Sequence, residues 1–299
     1  MPNKLNLLIR ALRLPFASAS ILPFIFGSLL GRADFKGLNF FLGLVCALAT
    51  HLGANLINDY ADAKSGADWQ DKKFYVFFGG SKLIQEGVFS VIFYRNLAIF
   101  FFALAGSSVF ILSKILASRA ILAYFFLILL LGWSYSSRPL QLAYRRLGEA
   151  VIFVLFGPAL VMGGLFLQTR IFPTWPGFIL SLPFGLLTCA ILLANEVPDF
   201  ADDQKSGKFT WVGLIGPERT YLLYFGLILL AFISIIWSIF LGLLGPLAWL
   251  ALIFILPALK ATRILKSEYA HKLKLMESSR LTIALHTMVS VVLILSLII

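Results

Sequence analysis

Seven of the fourteen acidic residues in this 299-residue chain stand in two short stretches. The first, NLINDYADAKSGAD, runs from Asn55 to Asp68; the second, NEVPDFADDQKSGK, runs from Asn195 to Lys208. Asn55, Asp59 and Asp62 are spaced i, i+4, i+7, which on a helix puts all three on one face over about 10 Å of axis. His51 falls on the same stripe, one turn deeper. Like-charged carboxylates on neighbouring turns repel, so the arrangement is unfavourable unless a cation sits between them. Oxygen-only donors of this kind suit a hard ion such as Mg2+.

The second stretch repeats the first. Asn195 aligns with Asn55, Asp199-Phe200-Ala201-Asp202 with Asp59-Tyr60-Ala61-Asp62, and, after one extra residue, Lys205-Ser206-Gly207 with Lys64-Ser65-Gly66. A polar pattern recurring in two halves suggests one site built from two related helices. Asn55, Asp59, Asp62, Asn195, Asp199 and Asp202 are therefore candidate metal ligands, with Asp203 beside them. Gly66 reads as a helix terminator, and Pro198, which removes a backbone hydrogen bond, is expected to kink or unwind the second copy. A solvated helix end would account for one copy alone. At a bilayer centre each Asp costs about 2.5 to 3.5 kcal/mol, so five or six half-buried ones cost on the order of 10 kcal/mol, which points to function. Mg2+ binds through one or two carboxylates while phosphate oxygens fill its other positions, which favours a diphosphate ligand. Lys64, Lys82, Arg138, Lys205 and Lys208 are the basic residues expected to neutralise it.

These residues must be held by membrane helices. The chain is 60% hydrophobic and 13% charged, with a mean hydropathy of +0.92, far from a soluble domain. Nine apolar windows are each near the length that spans a bilayer: 14–31, 38–58, 91–112, 120–136, 147–168, 176–196, 220–241, 244–260 and 281–299. No hydrophilic stretch is long enough for a second unit, so a single transmembrane domain over 1–299 is expected, its two halves carrying the motifs at 55–68 and 195–208. The run after Lys4, Arg10 and Arg13 leads straight into further spans and reads as a first transmembrane helix, not a removed signal. With these spans, 20 of the 25 basic residues fall on one side, which places the N-terminus and both motifs in the cytoplasm. The net charge of +11 fits an anionic leaflet or an anionic substrate. Nucleic acid is excluded as a partner, because the basic residues are dispersed over five short loops. Cys46 and Cys189 sit singly in apolar spans and support neither a disulfide nor a thiolate metal site.

With its motifs in view, the chain resembles the UbiA superfamily of intramembrane aromatic prenyltransferases, and within it the 1,4-dihydroxy-2-naphthoate polyprenyltransferases of menaquinone biosynthesis. Besides the two acidic stretches, the resemblance rests on LRLPFASASILP, GGSKLIQEGVFS and YSSRPLQLAYRRLGEAVIFVLFGPALVMGGLFLQT. It implies an all-α bundle of nine helices around a central cavity, in a bacterial-type plasma membrane with the active site facing the cytoplasm. It also implies two Mg2+ ions bridging a polyprenyl diphosphate, one held by Asn55, Asp59 and Asp62 and the other by Asp199 with Asp203. Asp202 matches the internal repeat, Asp203 the family spacing; both stay open. Asp68 matches a later family acid, Lys82 a basic loop position, and Tyr135, Arg138 and Tyr144 the block after the fourth helix. Phe209 and Trp211 depart from the family pattern, and Lys82 stands where Arg is common, a point charge in place of a planar fork.

The implied reaction is departure of diphosphate from an allylic carbon and attack by an electron-rich aromatic ring, with loss of carbon dioxide for dihydroxynaphthoate. Another ring (4-hydroxybenzoate, homogentisate) or a lipid alcohol would use the same fold, since acceptor choice rests on pocket shape. A cation-coupled transporter is disfavoured because only Asp34 of the fourteen acids lies on the outer side. A nucleotide-alcohol phosphotransferase is disfavoured because Asp59-Tyr60 lacks its Asp-Gly pattern. Glu149 is a weaker candidate for the acceptor side, and His51 reads as a polar residue satisfied inside the bundle ahead of a base or a ligand. The 29 Phe residues read as packing and lipid-facing material.

Overall fold

The structure, a computed structural model, describes residues 3–66, 69, 71 and 73–299. Asp68, expected to contact substrate, and Lys72 lie outside the described residues.

Helix α1 (Lys4–Ala11) starts where Asn3 Oδ1 accepts the Leu5 N–H. It stops at Arg13, whose φ of 51° turns the chain through a short 3-10 segment, Leu14–Phe16, into α2 (Ser18–Leu30). The two arms meet at 49°. Helix α3 (Gly37–Ser65) carries the first motif and ends at Gly66, whose φ of 85° no side-chain-bearing residue adopts cheaply. Helix α4 (Val91–Ile115) begins at Ser90, whose hydroxyl accepts the Phe93 N–H, and α5 (Ala120–Ser136) returns to the motif end. Helices α6 (Gly148–Val154) and α7 (Leu160–Thr169) are one span interrupted by a π turn, Leu155–Ala159, around Pro158. Tyr124 of α5 donates to the Ala159 carbonyl there, at 2.8 Å.

Helix α8 (Trp175–Lys205) carries the second motif and is capped by Thr174. The expected unwinding at Pro198 does not occur: the helix runs through both Pro183 and Pro198 to Lys205. The short α9 (Trp211–Ile215) then leads to α10 (Thr220–Phe240), a 3-10 segment Pro246–Phe254, α11 (Ile255–Glu268) and α12 (Lys272–Ile298).

The fold is all-helical, and every apolar window read from the sequence is helical here. Among the described residues, seven helices are long and apolar enough to cross a membrane, eight when the bent pair α1 and α2 is counted as one span, against the nine windows of the sequence. At 17 residues, α5 is shorter. Helix α8 is the hub: 78% of its apolar window is buried, against 22–44% for the other six spans. Leu187 and Leu193 of α8 pack there with Ile228 of α10 and Leu285 of α12. Apolar helices gain little by hiding from lipid, so close approach must hold them together. At Gly27 of α2 an added Cβ would stand 2.0 Å from the Val161 carbonyl oxygen of α7, and at Gly164 of α7 it would stand 2.6 Å from the Phe24 carbonyl oxygen. Phe41, Phe100, Phe126 and Phe240, by contrast, are exposed on the outer wall. The chain is an integral membrane protein.

Candidate functional site

The ends of α3 and α8 open into one cavity of about 210 Å³. Asn55, Asp62, Asn195, Asp199, Asp202 and Asp203 line it, together with Lys82, Tyr135, Tyr144 and Lys208. The two acidic stretches thus meet in space. Asp59 stands just behind this wall at 3% exposure. Its Oδ2 accepts the Ser81 N–H at 3.1 Å, and Arg13 Nη1 lies 3.7 Å from its Oδ1. Asp199 Oδ2 accepts the Gly79 N–H at 3.0 Å. One loop therefore serves both helices. It is anchored by Leu83 and Ile84, buried against Leu56 and Tyr94, which sets the 4% exposed Lys82 at the cavity wall.

A second loop pair closes the opposite wall. Phe209 pairs with Arg145 in an isolated parallel bridge, with Arg146 N donating to Phe209 O at 2.8 Å. This brings Tyr144, whose hydroxyl donates to Asp62 Oδ1 at 3.4 Å, beside Lys208, whose ammonium lies 3.2 and 3.1 Å from the two oxygens of Asp203. Burial alone would push the Lys208 ammonium down, but the carboxylates of Asp203, Glu196 and Asp62 outweigh it and hold it well above the ordinary lysine value. Burial, then the charge of Asp62, pushes the Tyr144 phenol up.

Three basic residues expected beside the anion are elsewhere. Lys64, Arg138 and Lys205 are exposed and do not line the cavity. Lys64 lies over the Tyr60 ring, since a long cationic side chain at a helix end is best solvated pointing outward. Two other cations line the cavity instead. Arg13 enters from the bend after α1, and Lys272 from the start of α12, where its Nζ pairs with Asp202 at 2.7 Å and Asp71 at 2.9 Å. Burial pushes the Asp71 carboxyl up, but the Lys272 hydrogen bond, the Lys73 N–H and the Lys272 charge together hold it below the ordinary carboxylate value. Arg13 had a signal in the quoted LRLPFASASILP block, a guanidinium at the edge of a span. Lys272 had none, being one of six basic residues in the last basic loop.

The polar cavity adjoins an apolar one of about 160 Å³, walled by Phe24, Val109, Leu112, Tyr124, Phe125 and Phe166. His51 and Phe156 line both. The assembly is a charged vestibule with an oily annex, suited to an amphiphile whose anionic head and hydrocarbon tail go to different places.

A family model, the UbiA prenyltransferase family, matches residues 20–284. The chain belongs to the UbiA prenyltransferase family. Among similar UbiA-type proteins is a 1,4-dihydroxy-2-naphthoate octaprenyltransferase of Mycobacterium tuberculosis, 31% identical over 191 residues, covering 64% of this chain and 62% of that protein. A UbiA prenyltransferase domain-containing protein 1 of Xenopus tropicalis is 29% identical over 222 residues, covering 72% of this chain and 61% of that protein. The match thus spans less than two thirds of either relative. A 1,4-dihydroxy-2-naphthoate octaprenyltransferase of Bacillus subtilis is 27% identical over 244 residues, 80% of this chain and 74% of that protein. Among solved structures, a UbiA homolog from Aeropyrum pernix superposes with a TM-score of 0.71 at 17% identity, covering 93% of this chain and 97% of that one. A UbiA homolog from Archaeoglobus fulgidus bound to DMAPP and Mg2+ superposes at 0.64, also at 17% identity, covering 95% and 98%. The fold is therefore the UbiA fold.

Within this UbiA fold, Glu149 has a structural position. Its Oε1 accepts the Trp211 N–H at 2.6 Å, holding α9 against α6 just beyond Lys208. It is 1% exposed and outside the cavity lining. Glu196, which carried no signal beyond its place in the second stretch, is 4% exposed and lines the cavity.

Proposed function

We propose that this UbiA-family chain transfers a polyprenyl group from its diphosphate to an aromatic acceptor, 1,4-dihydroxy-2-naphthoate, with loss of carbon dioxide and with Mg2+ bound. The observation that carries the reading is the joining of a carboxylate- and lysine-lined cavity to an apolar one. A polyprenyl diphosphate has that division of polarity. The named relatives support the acceptor, and the archaeal homolog bound to DMAPP and Mg2+ supports donor and ion.

The donor set fits Mg2+ held jointly with substrate. Among the described residues, no three His, Cys, Asp or Glu side chains form a group able to hold an ion by themselves. One or two protein oxygens per ion, completed by phosphate and water, is how Mg2+ is usually bound. Asn195 Oδ1 is a buried acceptor with no donor among the described residues, which also fits a cation nearby. Asn55, Asp59 and Asp62 would serve one ion, and Asn195, Asp199 and Asp203 the second. Each acid carries a lysine, Asp202 Lys272 and Asp203 Lys208, and Asp203 is preferred because it stands one turn from Asp199 on the same face. Bound Mg2+ would neutralise the diphosphate and lower the barrier to its departure.

The chain's own groups do the rest. Lys82, Lys208 and Arg13 supply fixed positive charge around the leaving group as its negative charge grows. The allylic carbon–oxygen bond breaks with its electron pair leaving on diphosphate. A ring carbon of the acceptor supplies the pair for the new carbon–carbon bond, and the ring carboxylate departs as carbon dioxide, returning its pair to the ring. The apolar annex holds the chain and keeps water from the cation. Lys64, Arg138 and Lys205 are assigned to the mouth, as attraction for the anion. By the distribution of basic residues, the mouth faces the cytoplasm in a plasma membrane.

The test is direct. Purified protein in lipid is given Mg2+, a polyprenyl diphosphate and a panel of acceptors that includes 4-hydroxybenzoate, homogentisate and a lipid alcohol, and products are read by mass. A prenylated, decarboxylated naphthoquinol is expected; turnover of the lipid alcohol alone overturns the reading.

A further inference from the structure

The transfer reading leaves one buried polar atom between the two cavities unused. His51 is 8% exposed, lines both the charged cavity and the apolar annex, and meets the Phe156 ring edge-on at 5.7 Å. Its Nδ1 is 2.6 Å from Ser20 Oγ of α2, and its Nε2 is buried with no hydrogen-bond partner among the described residues. A buried imidazole nitrogen without a partner is costly to keep, and its position one turn inside Asn55 is where an amphiphilic donor changes from head to tail. That is also where the allylic carbon, next to the diphosphate, meets whatever attacks it.

The tautomer follows from Ser20. A hydroxyl inside a helix commonly returns its proton to a carbonyl one turn back, as Ser108, Thr188 and Thr282 do here. Ser20 makes no such bond among the described residues, and its one described partner is His51 Nδ1. The assignment that satisfies the Ser20 hydroxyl gives its proton to Nδ1 and places the ring proton on Nε2 as a donor. Arg13 lines the same cavity, so the surroundings favour an electron-rich or anionic oxygen over a second cation.

We infer that His51 Nε2–H donates a hydrogen bond to a ring oxygen of a hydroxylated aromatic acceptor, seating the ring at the junction of the two cavities with a ring carbon facing the allylic carbon. The assignment rests on the transfer reading above and adds the residue that recognises the acceptor. His51 would thus touch the substrate. Ser20 would act through it as a positioning residue.

The experiment compares wild type, His51→Leu, His51→Gln and Ser20→Ala in lipid, measuring the KM of acceptor and of donor separately. Inhibition constants of a hydroxylated acceptor analogue and its deoxy counterpart are measured alongside. His51→Leu is expected to raise acceptor KM about tenfold, the value of one buried hydrogen bond, while donor KM stays within about twofold. His51→Gln, which keeps an N–H, is expected to recover most of the loss. Wild type is expected to distinguish the hydroxylated from the deoxy analogue and His51→Leu to bind them alike, which a purely structural role would not produce. An unchanged acceptor KM, or equal rises for donor and acceptor, overturns the assignment. Should His51→Leu fail to accumulate, Ser20→Ala decides: a selective rise in acceptor KM of a few-fold supports it, and no rise overturns it. If wild type alkylates no aromatic acceptor, the transfer reading falls and this inference with it; if it alkylates one without regard to His51, only the inference falls.

Discussion

Asp59 and Asp199, on different helices and 140 positions apart, are tied to one loop: Ser81 N–H donates to Asp59 at 3.1 Å and Gly79 N–H to Asp199 at 3.0 Å. Backbone donors, unlike side chains, cannot swing away, so the loop fixes the separation of the two motifs as well as the place of Lys82. Gly79 has a φ of 72°, and a Cβ there would make only ordinary contacts with Lys82 and Asp199. Gly79→Ala should therefore fold with about 1 to 2 kcal/mol of backbone strain and lose part of its activity. Gly79→Pro cannot reach that φ and removes the donor. Product formation and thermal stability in lipid separate the two: near-normal activity in Gly79→Pro would show that the loop does not set the site.

The division of labour between Asp202 and Asp203 gives a second prediction. Asp203→Asn, like Asp199→Asn, should cost roughly 100-fold or more in kcat/KM, comparable to removing a preorganised charge that stabilises a transition state. Asp202→Asn, which acts through Lys272, should cost about tenfold. Measured against Mg2+ concentration, only the Asp199 and Asp203 variants should demand more metal. The reverse order would assign the ligand to Asp202.

Much of this geometry was legible because helices translate spacing into direction. Asn55 and Asp62 of α3 and their echo on α8 line one cavity, with Asp59 just behind its wall, and Gly66 ends its helix as expected. Lys272 was not legible: it is 70 positions from Asp202 and 201 from Asp71, and only the packing of α12 beside α8 brings them together. The same applies to the loop amides of Gly79 and Ser81, because a backbone N–H leaves no mark in the residue types. Lys64, Arg138 and Lys205 stand exposed outside the cavity lining, since solvation at a helix end or loop outweighs attraction to acids behind it.

Lys272 supplies the third prediction. Its two ion pairs are partly exposed, so Lys272→Met should shift stability by less than about 1 kcal/mol. Its effect should appear in donor KM, because it removes a cation from the cavity rim and releases Asp202. The depressed Asp71 carboxyl sets the pH sign. A carboxyl lowered in the folded state contributes stability above its unfolded value, lost as pH falls through the folded one. The bridge should thus be intact throughout the neutral range and fail only below the usual carboxylate titration, so wild type and Lys272→Met should differ in stability at pH 7 and converge in strong acid. A difference growing toward acid would refute the bridge.

Lys208 differs from these partly exposed cations, because the surrounding carboxylates keep it protonated far above assay pH. Lys208→Met should lower kcat/KM for the donor about 100-fold, and Lys208→Arg should recover part of it, limited by the poor fit of a planar fork to a site shaped for an ammonium. Tyr144→Phe removes a long hydrogen bond to Asp62 and the hydroxyl's interaction with Ser65, and should cost a few-fold, about 1 kcal/mol. Because Lys208 does not titrate in the neutral range, the pH profiles of wild type and Lys208→Arg should have the same basic limb between pH 7 and about 9.5. A basic limb present in wild type and absent in Lys208→Arg would show that Lys208 loses its proton there, and that its role is acid catalysis and not a standing charge.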